Sequence, residues 1–338
     1  MNNNTILIIH QEIPGDASDD EKDVLDQAEL IESALSALGY HAERIAAGLD
    51  LEILKMKIAR INPLLVFNLV ETLDGKGSLI HLVPALLEAM GIPFTGSSSA
   101  ALMLSSNKLL SKQLLAAAAL PVPDWQPIDP ENPIHISFPC IVKSIWEHAS
   151  FGLNDSSVIF SPAAGRKVTA DIEPGGFFAE RFIDGREFNI AVLEKNGRPV
   201  VLPIAEISFA AFPPGKTRIV GYAAKWDSSS FEYSNTPRVF VDERIENGLC
   251  SRLRELTVRC WEVFGLRGYA RVDFRIDAEG NPWVLEVNSN PCLSEDAGFM
   301  AAAAMAGLSP KAVIEYVISA VGRVAYSGPP ARMVQHGM

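Results

Sequence analysis

The chain is poor in the features that usually declare a function outright. Its 338 residues contain four cysteines, Cys140, Cys250, Cys260 and Cys292, with no CxxC pair among them. Closely spaced thiols mark zinc sites and disulfide frameworks, so neither is expected to organise this fold. Basic residues are scarce: 29 Lys and Arg stand against 41 Asp and Glu, for a net charge of -12. So acidic a chain repels nucleic-acid phosphates and anionic lipid headgroups, and no nucleic-acid or membrane partner is expected. No apolar run approaches membrane-spanning length. The first residues run into a strand without a basic or signal-like segment, which makes the cytoplasm the expected location. There is also no G-x-G-x-x-G, no G-x-x-x-x-G-K-[ST] and no G-x-S-x-G. The dinucleotide, P-loop and nucleophile-elbow chemistries lose their sequence basis.

What is present reads as a globular α/β chain of two or three domains, 48% hydrophobic and 21% charged. Apolar strands over residues 5–9 and 64–69 alternate with helical periodicity over 23–38 and 81–90, the last stopped by Gly91. That order predicts a parallel sheet covered on both faces, with ligand loops after Ile9 and Leu69. A long Ala- and Leu-rich helix is expected over 100–119, carrying Lys108 and Lys112. Pro121 and Pro123 open a second unit, where a strand over 140–143 ends in Lys143 before a small-residue loop over 144–152. Backbone N–H groups in such a loop can wrap phosphates. Strands follow over 177–185, 186–193 and 200–209. A long loop over 213–235, with Lys225 and Trp226, has the length of a lid. Helices close the chain over 249–264, 301–306 and 312–324.

The densest chemistry lies in residues 268–291, two apolar strands joined by Asp277-Ala-Glu-Gly-Asn-Pro282. Glu286 and Asn288 are two apart and share a face, onto which hairpin pairing can bring Asp273. Two carboxylates and an amide oxygen suit Mg²⁺ or Mn²⁺ held against phosphates. Arg271 points into the same site and suits an anion there. The competing reading is the solvated face of an antiparallel sheet. The flanking Val, Phe, Ile, Trp and Leu favour buried strands, whose carboxylates need partners.

In order along the chain, Pro93-Phe-Thr-Gly-Ser, Asn107-Lys108, Ile141-Val-Lys143, Glu187-Phe-Asn, Ala224-Lys225-Trp, Ala270-Arg-Val-Asp273 and Leu285-Glu-Val-Asn288 resemble the ATP-grasp superfamily, and within it the D-alanine–D-alanine ligases. The similarity spans roughly residues 62 to 320. It implies an N-terminal Rossmann-like preATP-grasp domain (1–105), then a two-lobed α+β ATP-grasp fold (106–186 and 187–325) and a tail (326–338). It implies ATP and two Mg²⁺ (or Mn²⁺) ions, amino acid substrates and a homodimer. By the resemblance, Lys108 and Lys143 contact the nucleotide phosphates and Ser150 sits over the β- and γ-phosphates. Glu180, Phe182 and Ile183 form the adenine hinge, and Glu187 holds the ribose. Lys225 neutralises the transferred phosphoryl group, and Arg271 stabilises the acyl intermediate. Asp273, Glu286 and Asn288 hold the metal.

The expected reaction is ATP-dependent joining of a carboxylate to an amine through an acyl phosphate, giving a dipeptide or related amide. Two alternatives stand beside it: a specialised ligase for other amino acids, and an ATP-binding module without turnover. Departures from the family pattern fall at the substrate end. The loops over 11–20 and 68–75 differ, Cys292 replaces a glycine, and Trp226 replaces the lid tyrosine. Asp296 places a negative charge near the expected acceptor carboxylate, which suggests an acceptor bearing a cationic group.

Overall fold

A computed structural model describes residues 4–15, 17, 19–129, 131, 134–146, 152–170 and 175–321. Three sheets form among the described residues. The first is built from β1 (Thr5–Gln11), α1 (Asp19–Ala37), β2 (His41–Ala47), α2 (Leu51–Ile61), β3 (Leu65–Asn68) and α3 (Leu82–Met90). Its strands are parallel in the order β2-β1-β3. The central strand is buried on both faces, as its unbroken Ile-Leu-Ile-Ile run requires. Gly91 ends α3 in the left-handed region at φ 66°, where a side chain would be strained. Edge strand β2 and helix α2 did not stand out in the sequence, because His41-Ala-Glu-Arg mixes charge into a half-exposed strand.

The expected helix over 100–119 is two helices, α4 (Ser99–Ser106) and α5 (Lys108–Ala117). Asn107 breaks them apart. Its backbone is extended, and its side chain accepts from the N–H groups of Leu109 and Leu110, starting a new helix at Lys108. The Ala/Leu periodicity runs through the break and hides it.

The second sheet is antiparallel, in the order β4-β7-β5-β6, from β4 (Trp125–Pro127), β5 (Cys140–Ser144), β6 (Val158–Ile159) and β7 (Phe177–Arg181), with α6 (Pro162–Ala170) after β6. The third holds β8 (Arg186–Lys195), β9 (Arg198–Val201), β10 (Ala205–Ile207), β11 (Arg238–Phe240), β12 (Tyr269–Ile276) and β13 (Pro282–Asn288). Its path is β11-β10-β8-β12-β13, with β9 paired to β8. The single strand expected over 200–209 is thus split between β9 and β10, across Pro203, which has no N–H to give a ladder. The expected lid loop contains two short helices, α7 (Tyr222–Trp226) and α8 (Phe231–Asn235). Helices α9 (Asn247–Phe264), α10 (Gly298–Met305) and α11 (Pro310–Val321) complete the order.

Two cores fix the third sheet. One face packs on α9 through Phe188, Ile190, Val192, Val272 and Phe274. The other packs at one end on α10, α11 and the first sheet, through Ala191, Leu193, Tyr269, Phe299 and Phe67. The first unit is thereby seated over the end of the strands that carry the polar residues. Among the described residues no single helix is long and apolar enough to cross a membrane.

The turn from β7 into β8 runs so close to the end of β12 that a Cβ on Gly185 would overlap the Ile276 carbonyl oxygen. Gly185→Ala should therefore cost on the order of 2–3 kcal/mol by overpacking. Urea denaturation checks this; an unchanged midpoint would show that the backbone can yield there.

Candidate active site

The polar site follows from strand alternation. Phe188, Ile190 and Val192 on β8 and Ala270, Val272, Phe274 and Ile276 on β12 face α9, while their alternates present Glu187, Asn189, Arg271, Asp273 and Arg275 on the opposite face. Glu187 pairs across to Arg275, Asn189 to Asp273 and Ala191 to Arg271. Strand β13 places Glu286 opposite Asp273 and Asn288 opposite Arg271. Simple alternation from the turn would not do this. Phe274 pairs with Val284, so an unbroken ladder would set Leu285 opposite Asp273. A β-bulge leaves Leu285 as the extra residue and returns Glu286 to the polar face. The four hairpin residues expected to act together are brought together.

Arg271 grips Asp273 with two parallel bonds, Nε to Oδ1 at 2.7 Å and Nη2 to Oδ2 at 2.9 Å. Burial pulls the guanidinium down, but Asp273 and then Glu286 outweigh it, and the net shift is upward. Arg271 is fixed as a cation. Lys225, in the last turn of α7, reaches the same field from the lid. Burial lowers its pKa, Arg271 lowers it further, and Asp273, Glu286 and Glu187 oppose the fall. A cavity of about 610 Å³ lies between Gly152–Asp155 on one side and Ile219, Gly221–Ala224 and Glu232 on the other.

Among the described residues no three His, Cys, Asp or Glu side chains gather as a metal cluster. The candidate set is instead mixed, Asp273, Glu286 and the Asn288 amide oxygen, which also accepts from the Asn290 N–H at 2.9 Å. An oxygen-only set of this kind fits a hard divalent cation.

The second cluster lies between α5 and the second sheet. Glu180 is 1% exposed and its two oxygens are divided between two lysines: Oε1 with Lys112 and Oε2 with Lys143 at 2.6 Å. Lys112, also 1% exposed, donates to the Leu285 carbonyl at 3.4 Å. The Glu180 side chain therefore points into the fold; beyond it the Phe182 N–H donates to the Pro139 carbonyl at 2.9 Å and the Ile183 carbonyl accepts from Arg275 at 3.4 Å. Lys108 starts α5, docked by its N–H on the Ile145 carbonyl at 3.0 Å. Ser150 lies outside the described residues. Glu187 does not pair with Arg186, an alternative its sequence position allowed. Adjacent strand residues face opposite ways, so Arg186 bonds Glu206 and Glu246 while Glu187 pairs with Arg275 at 2.7 Å. Arg275, 4% exposed, also donates to the carbonyls of Gly185 and Arg218, tying the turn between β7 and β8 and the loop before α7 to β12. Lys112 and Arg275 are the participants the sequence reading left without a role. Their signals were i+4 spacing from Lys108 and i+2 spacing from Asp273.

Comparison with known proteins identifies the family. Residues 114–319 match the model of the D-ala D-ala ligase C-terminus family. The chain belongs to the D-alanine–D-alanine ligase family. A D-alanine–D-alanine ligase of Carboxydothermus hydrogenoformans is 32% identical over 262 residues, covering 73% of this chain and 78% of that one. One from Pelotomaculum thermopropionicum is 27% identical over 317 residues, covering 90% and 93%. An uncharacterised protein of Sinorhizobium fredii, y4sG, is 32% identical over 264 residues, covering 77% and 75%. The D-alanine–D-alanine ligase of Bacillus anthracis, solved in complex with ATP, superposes with a TM-score of 0.72 at 20% identity over 94% of this chain and 97% of that chain. The fold is the ATP-grasp fold of these ligases.

Beyond β13 the chain packs against α1. Cys292 donates its thiol to Asp23 at 3.0 Å, and Ser294 donates to the same carboxylate at 2.5 Å. Burial and Asp23 hold the thiol proton on well above the usual range. Gln27 donates to both Asp23 and Glu71, at 3.1 and 3.2 Å, and accepts from the Leu293 N–H. Helix α1 and the loop after β3 are thus clasped to the exit of β13. Asp296 is exposed, and the Arg238 guanidinium lies against Gly298 within its field. Burial and Arg271 lower the Arg238 pKa, and the Asp296 charge opposes that fall.

Burial opposes ionisation of Glu180, yet Lys112 and Lys143 hold its carboxyl below the ordinary 4.5. Its contribution is therefore complete above that value and is lost as pH falls through the lower folded pKa. Glu180→Gln should cost about 3–5 kcal/mol near neutral pH, as expected for breaking a buried pair. Denaturation of wild type and variant at pH 7 and pH 3 should show the gap shrinking in acid; a gap independent of pH would contradict it.

Proposed function

We propose that this family member joins a carboxylate-bearing amino acid to the amine of a second substrate, using ATP and forming an acyl phosphate. The observation that carries the reading is the single polar face on which Arg271, Asp273, Glu286 and Asn288 converge under the lid lysine Lys225. A carboxylate is a poor electrophile. Transfer of the ATP γ-phosphoryl group to its oxygen makes an acyl phosphate, the amine attacks the carbonyl carbon, and phosphate leaves. The first step asks mainly for positioning and charge neutralisation. Lys108 and Lys143 hold the nucleotide phosphates, while Glu187, steadied by Arg275, meets the ribose hydroxyls. The base lies along the backbone of Phe182 and Ile183, between lobes 106–186 and 187–325, and Ser150 closes over the phosphates. Lys225 neutralises the phosphoryl group in transit. In the second step Arg271 stabilises the oxyanion of the tetrahedral intermediate. Asp273, Glu286 and Asn288 would hold Mg²⁺, which supplies further neutralisation of the transferred group when bound. The lid excludes water that would hydrolyse the acyl phosphate.

The rebuilt wall of Asp23, Cys292 and Glu71 supports substrates other than two D-alanines. A panel of D- and L-amino acids, singly and in pairs, scored for ADP release and product mass, tests both points. ADP release that depends on an amino acid, with a condensed product, is expected. ATP binding without turnover across the whole panel would leave only a binding module.

Lys225 must be protonated to act. Its pKa lies below the ordinary 10.5, so kcat should fall as pH rises, starting lower than for an exposed lysine. Lys225→Met should lose that alkaline limb and about 10²–10³ in kcat. A variant that keeps wild-type kcat would remove the lysine from the mechanism.

A further inference from the structure

Glu180 carries one negative charge between two ammonium groups, and the three are not equivalent. Lys112 is sealed inside, at 1% side-chain exposure, whereas Lys143 is 18% exposed and stands at the end of β5. Strand register explains the difference. Glu180 pairs across with Ile141, and Lys143 is the diagonal neighbour on the same face, nearer the strand end. Lys112 reaches Glu180 from α5, from behind. Its second bond goes to the carbonyl of Leu285, the bulge residue. One buried ammonium thus touches both the carboxylate that pairs with Lys143 and the irregularity that sets the register of β13.

We propose that Lys112 is a positioning residue for nucleotide binding. By neutralising Glu180 from inside the fold, it leaves the Lys143 ammonium available to an anionic phosphate in the cleft. This rests on the reading that Lys143 meets a nucleotide. Without Lys112, a fully buried carboxylate would have Lys143 as its only partner. The desolvated charge would then hold that lysine back from the cleft. With Lys112 in place the cluster keeps a surplus positive charge, exposed only at Lys143.

Calorimetric titration of the full chain with ATP and Mg²⁺ tests this through three variants. Lys112→Met should weaken ATP binding about tenfold or more, the scale of one charge-assisted bond. Lys112→Met/Glu180→Gln should recover most of that loss, because no carboxylate remains to capture Lys143. It should also match Glu180→Gln alone within about threefold. This last comparison involves no stranded buried carboxylate, so it stands even where the single lysine variant fails to fold. A double variant no tighter than Lys112→Met, or more than about tenfold weaker than Glu180→Gln, would show that Lys112 acts by packing and would overturn the proposal. Wild-type protein that binds no ATP would instead sink the nucleotide reading itself.

Discussion

The bulge at Leu285 is the constraint on which the rest of the site depends. A strand has a side-chain period of two, so a one-residue slip moves every side chain to the other face. From the turn onward, β13 pairs with β12 in a register that would bury Glu286 against α9 and expose Leu285 to the cleft. The extra residue corrects this before Asp273 is reached. Val284 and Val287, three apart, can then both enter the core on α9, while Glu286 and Asn288 face Arg271 and Asp273. A bulge frees backbone groups, and the Leu285 carbonyl finds its partner in buried Lys112. The defect in the ladder and the charge cluster between α5 and the second sheet are therefore one piece of construction.

Around that piece the molecule is organised by what each face of the third sheet must satisfy. The α9 face is apolar from Phe188 to Val192 and from Ala270 to Ile276 and supplies rigidity, with the Arg186 ion pairs at its end. The opposite face changes character along its length. Tyr269, Ala191 and Leu193 bury against α10, α11 and the first sheet, and two residues on from Tyr269 the polar set begins. The clasp of Asp23, Gln27, Cys292 and Glu71 closes the end where apolar packing stops. Arg275 plays the corresponding part at the other end, holding Glu187 and the carbonyl of Gly185. Arg271 and Lys225 repel one another, and Asp273 and Glu286 oppose that repulsion at both cations.

Much of this was legible in the sequence, for physical reasons. Parallel strands buried on both faces read as continuous apolar runs, so β1 and β3 were plain. Alternation placed Glu286 and Asn288 together, and turn residues placed the hairpin. The family order of Lys108, Lys143, Glu187, Lys225, Arg271 and Asp273 carried the ligase assignment, which the family match bears out. What could not be read were features set by tertiary partners. Asn107 breaks a helix that composition favours throughout. The bulge has no glycine to announce it. Lys112 looks like any helix lysine until Glu180 is seen opposite it.

The central claim is that this face activates a carboxylate by phosphorylation. The most direct measurement uses an amino acid substrate labelled with ¹⁸O in its carboxylate, with mass analysis of the inorganic phosphate released during turnover. The account predicts one ¹⁸O atom in each phosphate, carried over when the acyl–oxygen bond of the acyl phosphate breaks. Unlabelled phosphate accompanying amide formation would contradict it.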